Sequence, residues 1–398
     1  MLKDKKISVF TNPVRYITTA DEVAEFCKQV SQESFVTVDT EFVREKTYWP
    51  QLCLVQIGGK DQTALIDACV PGLDLKPLGE LMAKPDCLKV FHAARQDLEI
   101  FFHLFGKLPK NVFDTQIAAR AEGLGDQIGY DALVSALTKG RIDKSHRFTD
   151  WAKRPLSENQ KTYAVADVTH LRLVYLELME RLTKNNRLSW LKDDLANLEN
   201  EEFFFPAPDT LWEKISLRGG GRRAMGILQL LAAWREAEAQ AADIPRQRLL
   251  RDDVLAQTAI TAPQNAEALA NIRGFPAKLA YNDLGARLLK MIAKGRAIPE
   301  DQLPLAPTRK GEKMTPRTKL IANLLSVLLE LKAHEHSVSP KVVASNVDLN
   351  ALAHGRKEVD TLKGWRADIF GKEALDLLEG RLSLQIKGGQ VTAVKSQA

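Results

Sequence analysis

Phe35-Val36-Thr37-Val38-Asp39-Thr40-Glu41-Phe42 is the stretch on which the fold turns. A β-branched, apolar run ends there in two carboxylates two residues apart. Side chains two apart on a strand share a face, so Asp39 and Glu41 project side by side. Anions that close repel, and the pair persists only if it is solvated or held by a cation. Hard divalent ions such as Mg²⁺ take oxygen ligands and keep waters that a substrate phosphate can replace. Alone, the pattern is usually two solvated carboxylates at a strand end.

Two further segments change that balance. Leu88-Lys89-Val90-Phe91-His92-Ala93-Ala94-Arg95-Gln96-Asp97-Leu98-Glu99-Ile100-Phe101 reads as a short strand turning into an amphipathic helix, with Asp97 in its first turn, where a lone Asp ordinarily caps the helix or complements its dipole. Ser157 to Leu182 carries apolar residues at helical spacing, and Tyr163 precedes Asp167 by four residues, which stacks both on one face. Asp167 is then a third carboxylate for a metal, and the Tyr163 phenol a group to hold a water against phosphorus. Read singly, this is a half-buried tyrosine above a surface acid; the ordered set of three segments is far more specific.

The motifs V-D-T-E-F, F-H-A-A-R-Q-D-L-E-I-F and Y-A-V-A-D-V resemble the three exonuclease motifs of the DEDD superfamily in its tyrosine subclass. Phe113-Asp114-Thr115-Gln116, Thr149-Asp150-Trp151, Arg154-Pro155-Leu156 and Gln160 narrow the resemblance to the bacterial ribonuclease D family, closely up to about residue 200 and more loosely beyond. The resemblance implies a ribonuclease H-like mixed sheet flanked by helices, followed by two helical HRDC-like domains. It places the metal-binding acids at Asp39, Glu41, Asp97 and Asp167 and the catalytic tyrosine at Tyr163, with two Mg²⁺ or Mn²⁺ ions. The activity implied is 3′→5′ exoribonuclease, releasing nucleoside 5′-monophosphates from RNA 3′ ends, chiefly those of tRNA precursors. Thr40 and Phe42 are expected to seat the terminal nucleotide, and Gln96 adjoins Asp97. Tyr48, Trp49 and Trp151 are further substrate candidates, each also readable as core or rim. Asp114 is expected to make a structural hydrogen bond, and His146 and His170 to be satisfied or exposed imidazoles. The rivals are a DNA 3′→5′ exonuclease and a non-catalytic nucleic-acid-binding protein acting through its HRDC-like domains; the intact acids and tyrosine argue against the latter.

At 398 residues the chain exceeds one core, and two or three domains are expected. The reading gives an exonuclease domain over 1–205, an HRDC domain over 212–295 and a diverged second HRDC-like domain over 315–385. Phe203-Phe204-Phe205-Pro206-Ala207-Pro208 marks the first boundary, and a proline-rich basic stretch from Ile298-Pro299 to Thr315-Pro316 the second. Within the first domain, strands are expected at Phe35–Glu41, Leu52–Ile57, Thr63–Asp67 and Leu88–Phe91, and helices at Ala20–Val30, Leu75–Met82 and Arg95–Phe105; after Asp114 the pattern is almost entirely helical. A degenerate repeat sets Leu228–Ala242, Pro245 and Gly274 against Ile321–Ala333, Pro340 and Gly364.

Charge divides the chain. Residues 1–210 hold 27 Lys and Arg against 31 Asp and Glu, and residues 211–398 hold 29 against 20. An acidic half joined to a basic half suits a metal enzyme acting on a polyanion, with the basic half as an RNA-holding accessory. Cys27, Cys53, Cys69 and Cys87 show no C-x-x-C spacing and read as free thiols of a reducing compartment. No apolar leader and no run of about 20 apolar residues appears, which points to a soluble, cytoplasmic protein without a membrane; no obligate protein partner is implied. Gly219-Gly220-Gly221 lacks the Lys-Ser/Thr of a phosphate-binding loop, and neither H-E-x-x-H nor G-x-S-x-G is present.

Overall fold

The computed structural model describes residues 13–138, 140–143, 145, 149–305 and 314–395. His146 and residues 306–313 of the basic connector, Pro307, Arg309, Lys310 and Lys313 among them, lie outside them. The chain forms two compact units that are discontinuous in sequence: residues 1–41, 52–200 and 310–398 make one, and 42–51 with 201–309 the other.

The first unit is built on β1 (Val14–Ile17), α1 (Ala20–Val30), β2 (Phe35–Val43), β3 (Gln51–Gly58), β4 (Thr63–Asp67), α2 (Lys76–Ala83), β5 (Leu88–Phe91), α3 (Arg95–Phe105), β6 (Val112–Asp114), α4 (Thr115–Ala121), α5 (Tyr130–Thr138) and α6 (Glu158–Lys184). The strands form one mixed sheet in the order β1-β4-β3-β2-β5-β6. β3 and β4 run antiparallel, whereas β2, β5 and β6 are parallel neighbours. That places the acid-bearing β2 in the sheet's interior, beside the strand that feeds α3. The sequence pattern finds α1, α3, β4 and β5 at their observed residues. It misses β1 and β6, edge strands of four and three residues that are too short to display alternation.

Capping starts the helices that matter most. Thr19 with Glu22 opens α1, and Ser157 with Gln160 opens α6, each as a reciprocal capping box. α6 runs for 27 residues, and α4 and α5 pack on it while it packs on β4 and β5. Its buried residues Ala164, Val168, Leu171, Val174 and Leu178 give the face that meets the sheet. Lys89 of β5 has no solvent-exposed surface, and its ammonium donates to the carbonyls of Lys84 at 2.6 Å and Cys87 at 2.8 Å; burial lowers it to about 8.

The second unit contains α7 (Gly221–Ala241), α8 (Asp252–Thr261) and α9 (Asp283–Arg296) around Leu228, Leu231, Leu255, Leu288 and Ile292. α7 and α9 approach closely because Gly295 faces Ile227, where an added Cβ would lie within 3 Å of the Ile227 backbone and side chain. The expected Phe203–Phe205 connection buries only Phe204.

The remainder of the first unit holds α10 (Pro316–Glu335), α11 (Asn346–Ala353) and α12 (Lys372–Leu378) around Leu325, Leu328, Val343 and Phe370. The two helical modules share an element order: a long helix, a single turn at Arg246–Leu249 or Pro340–Val343, then a further helix. Gly274 and Gly364 both adopt positive φ, +83° and +51°. Trp190 stacks on Trp365 at 4.4 Å, and Arg120 and Arg366 share Asp194.

One expectation is corrected here. The C-terminal module does not end helical: β7 (Leu382–Lys387) and β8 (Gln390–Lys395) form an antiparallel hairpin. Its turn is Gly388-Gly389 with φ +60° and +78°, the conformation that right-twisted strands need between them. Alternating residues around a Gly-Gly pair carry that signal in the sequence, where the preceding helical pattern outweighed it.

Candidate active site

β2 presents Asp39 and Glu41 on one face, and α6 must be held against that face for Asp167 to meet them. Two side chains do so by donating to backbone carbonyls in the middle of the helix. Thr37 Oγ1 of β2 donates to the Val168 carbonyl at 2.8 Å, and the Tyr130 hydroxyl donates to the Asp167 carbonyl. Gly58 of the neighbouring strand leaves room for the first of these, since a Cβ there would lie 2.4 Å from Thr37 Oγ1 and 3.1 Å from the Val168 oxygen. The result is a cluster in which carboxylate oxygens of Asp39, Glu41 and Asp167 all lie within 4.8 Å of one another.

Asp97 stands beside this cluster rather than within it. The Thr40 hydroxyl donates to Asp97 Oδ1, and both residues are buried. Burial and the charge of Asp39 push the Asp97 carboxyl well above its ordinary range, and burial pushes Asp39 up to about 7. The position of Asp97 depends on an irregular junction between β5 and α3. Ala93 sits at φ +57° there, an uncommon conformation for a residue with a Cβ. Asp114 holds it: its carboxylate accepts from the amides of Ala93 at 3.0 Å, Ala94 at 2.9 Å and Gln116 at 2.7 Å.

Tyr163 lies one helical turn before Asp167. Burial and then the charges of Asp167, Glu41 and Asp39 raise its phenol far above the usual range, so the hydroxyl keeps its proton. Its ring lies 6.1 Å from that of Trp151, which is buried. The loop bearing Trp151 is fastened by Arg154, whose guanidinium donates to both oxygens of Asp67 at 2.7 and 2.6 Å, to Trp151 O at 2.6 Å and to Cys53 O at 2.8 Å. Tyr16 donates to the same Asp67 at 2.5 Å.

The structure therefore brings together Asp39, Glu41, Asp167 and Tyr163, with Asp97 adjacent. Gln96 is exposed beside Asp97, and Phe42 is half-buried beside Glu41. The Thr40 side chain serves Asp97, a role the sequence did not reveal. Of Tyr48 and Trp49, read as substrate candidates or as core or rim, Tyr48 is buried in the core of the helical unit and Trp49, partly buried, packs against it. His170 is buried with Nδ1 2.9 Å from the Ala166 carbonyl. Thr37, Gly58, Tyr130, Asp67 and Arg154 escaped sequence reasoning because their partners are distant in the chain; only Arg154, inside a quoted motif, carried any signal.

The donor set suits a divalent cation. It is made of carboxylate oxygens alone, partly withdrawn from water and mutually repelling, which is the environment that hard cations such as Mg²⁺ neutralise.

A mixed sheet whose inner strand, with the long helix α6, converges three carboxylates beside a tyrosine suits metal-dependent phosphoryl chemistry, and residues 14–183 match the family model described as 3′-5′ exonuclease, which gives the class. Residues 224–292 match the HRDC domain. Ribonuclease D of Gluconacetobacter diazotrophicus is 49% identical over 97% of this chain and 98% of its own. That of Granulibacter bethesdensis is 47% identical over 97% and 98%. The crystal structure of Escherichia coli RNase D, titled an exoribonuclease involved in structured RNA processing, matches at a TM-score of 0.80 and 29% identity, covering 92% of this chain and 99% of that one. The chain belongs to the ribonuclease D family, and it is a 3′→5′ exoribonuclease that uses divalent metal and acts on nucleic acid.

Proposed function

We propose that this protein trims structured RNA precursors, tRNA 3′ ends among them, by a two-metal hydrolysis in which Asp39, Glu41, Asp97 and Asp167 hold Mg²⁺ or Mn²⁺ and Tyr163 aligns the water. The observation that carries the reading is the convergence of the Asp39, Glu41 and Asp167 oxygens within 4.8 Å beside a protonated tyrosine. Two bound cations would activate a water and stabilise the departing oxygen of an in-line displacement. The protein's own groups do the rest. The carboxylates are ligands and not nucleophiles. The Thr40 hydroxyl steadies Asp97 beside the cluster, and the Tyr163 hydroxyl, unable to ionise among the acids, acts by accepting and donating hydrogen bonds to the attacking water. Phe42, the Thr40 backbone and Gln96 seat the terminal nucleotide. The products are a nucleoside 5′-monophosphate and a strand shortened by one residue with a free 3′-hydroxyl.

The exonuclease domain covers 1–205, the HRDC domain 212–295, and a diverged HRDC-like domain 315–385. No helix among the described residues is long and apolar enough to cross a membrane, and we place the enzyme in the cytoplasm, where its RNA is made. The involvement of the Escherichia coli relative in structured RNA processing supports the choice of substrate. The test is digestion of end-labelled tRNA precursor, unstructured RNA and DNA with Mg²⁺, with Mn²⁺ and with chelator. Mononucleotides released from the 3′ end, only with metal and faster from RNA, are the expected outcome. Equal rates on DNA would overturn the substrate assignment, and full activity in chelator the metal assignment.

A further inference from the structure

Residues 42–51 run from the last two residues of the acid-bearing strand, Phe42 and Val43, to the first of β3, Gln51, yet by their contacts they belong to the helical unit. A short connection between sheet strands is ordinarily a surface loop with few fixed partners. This one is fastened along its backbone and by a buried aromatic. Asp243, just past the end of α7, accepts from the amides of both Tyr48 and Trp49 through one oxygen, each at 3.0 Å. The Tyr48 ring, 8% exposed, is part of the apolar core that contains Leu228, Leu231 and Leu249. Its hydroxyl donates to Glu236 and accepts from Gln240 Nε2 at 3.1 Å, and Arg246 lies 5.8 Å from the ring centroid while pairing with the same Glu236. Arg44 Nε closes the loop onto the Tyr48 carbonyl at 3.0 Å.

The loop is short. Six residues separate Glu41 from Tyr48, and the first two of them, Phe42 and Val43, continue β2. Any freedom at Tyr48 is therefore passed along a few bonds to the strand end that carries Glu41 and Phe42. We infer that the HRDC unit is a positioning element of the nuclease site, and that Tyr48 and Asp243 are the positioning residues through which it fixes the exit of β2. The inference rests on the reading of Glu41 as a metal ligand. It assigns the HRDC unit a role in the chemical step, distinct from gripping RNA.

The test uses the full-length protein and three variants. Asp243 has φ +47°, a conformation open to Gly and Asn. Asp243→Gly removes the acceptor without backbone strain, Asp243→Asn keeps an acceptor, and Tyr48→Phe keeps the ring while removing the hydroxyl. Amide hydrogen exchange of the metal-free proteins reads the order of residues 38–51, and single-turnover rates on a saturating short single-stranded RNA read the chemistry. In Asp243→Gly we expect faster exchange from Trp49 back to Glu41 and a rate at least fivefold lower, with affinity for the oligonucleotide within twofold of wild type. Asp243→Asn should restore both to near wild type, and Tyr48→Phe should lie between. Faster exchange confined to residues 44–50 with an unchanged rate would overturn the inference, as would an Asn variant no better than Gly. If Asp243→Gly fails to fold, Tyr48→Phe decides, and wild-type exchange and rate in that variant would overturn it. Exchange loosened through Glu41 with an unchanged rate would instead overturn the role of Glu41 and leave the anchor standing.

Discussion

At the scale of single residues, the five groups proposed for chemistry differ in how their neighbours prepare them. Asp39, Glu41 and Asp167 repel one another across less than 5 Å, whereas Asp97 is steadied by a hydroxyl. In Asp97→Asn the shape and the Thr40 contact can be kept while a charge proposed to hold metal is lost. Turnover should fall on the order of a hundredfold or more with the unfolding midpoint unchanged or raised, because a buried, mutually repelling carboxyl is gone. Rate assays with a thermal melt check both. Tyr163→Phe should lower the single-turnover rate by about a hundredfold while calorimetric Mg²⁺ or Mn²⁺ affinity stays near wild type; an equal loss in metal binding would place the tyrosine among the ligands. These residues were legible in the sequence because each sits in a short motif with fixed spacing. Their supports were not. Thr37 and Tyr130 reach partners 131 and 37 residues away, and no local pattern announces such pairs; for Asp114 the sequence indicated a structural hydrogen bond but not its partners 20 and 21 residues away.

At the scale of elements, the site depends on two joints. One is the β5–α3 turn, where Ala93 takes a conformation that its Cβ opposes and three amides close on Asp114. Asp114→Ala leaves those amides without their acceptor and should cost about 2–4 kcal/mol in urea unfolding, with turnover falling as Asp97 loses its place. Asp114→Asn, which retains one carbonyl acceptor, should lose less of both. The other joint is α6 against β2, where Gly58 admits the Thr37 contact; Gly58→Ala brings a methyl into Thr37 Oγ1 and the Val168 carbonyl and should cost about 1–3 kcal/mol as an overpacked site. The boundaries of α1 and α3, and nearly those of α6, were readable because their periodicity is local. The hairpin of β7 and β8 was readable too, from its Gly-Gly turn. It was missed because its twelve strand residues end a long helical stretch.

At the scale of the whole molecule, the surplus of nine basic charges in residues 211–398 remains the reason to expect RNA-phosphate contacts there. Deleting those residues should weaken binding of tRNA-sized RNA and flatten the fall of affinity with salt, measured by titration from low to high ionic strength. Charge alone would leave hydrolysis of short RNA intact in the truncated protein. The packing of Tyr48 in the helical core and of Trp49 against it changes that expectation: the short-RNA rate should drop as well, because the loop after Glu41 loses what it is folded into. The sequence by itself determined the chemistry on offer, the acids and tyrosine and the order of their segments, since strand and helix periodicity place side chains on faces without reference to the rest of the chain. It also determined the helical repeat and the charge asymmetry. Only the tertiary structure decided which unit owns residues 42–51, which carbonyls steady α6, and that three acids converge while Asp97 is held to one side by Thr40. Those are contacts between segments far apart in the chain, fixed by the packing of a common core, and no stretch of sequence contains them.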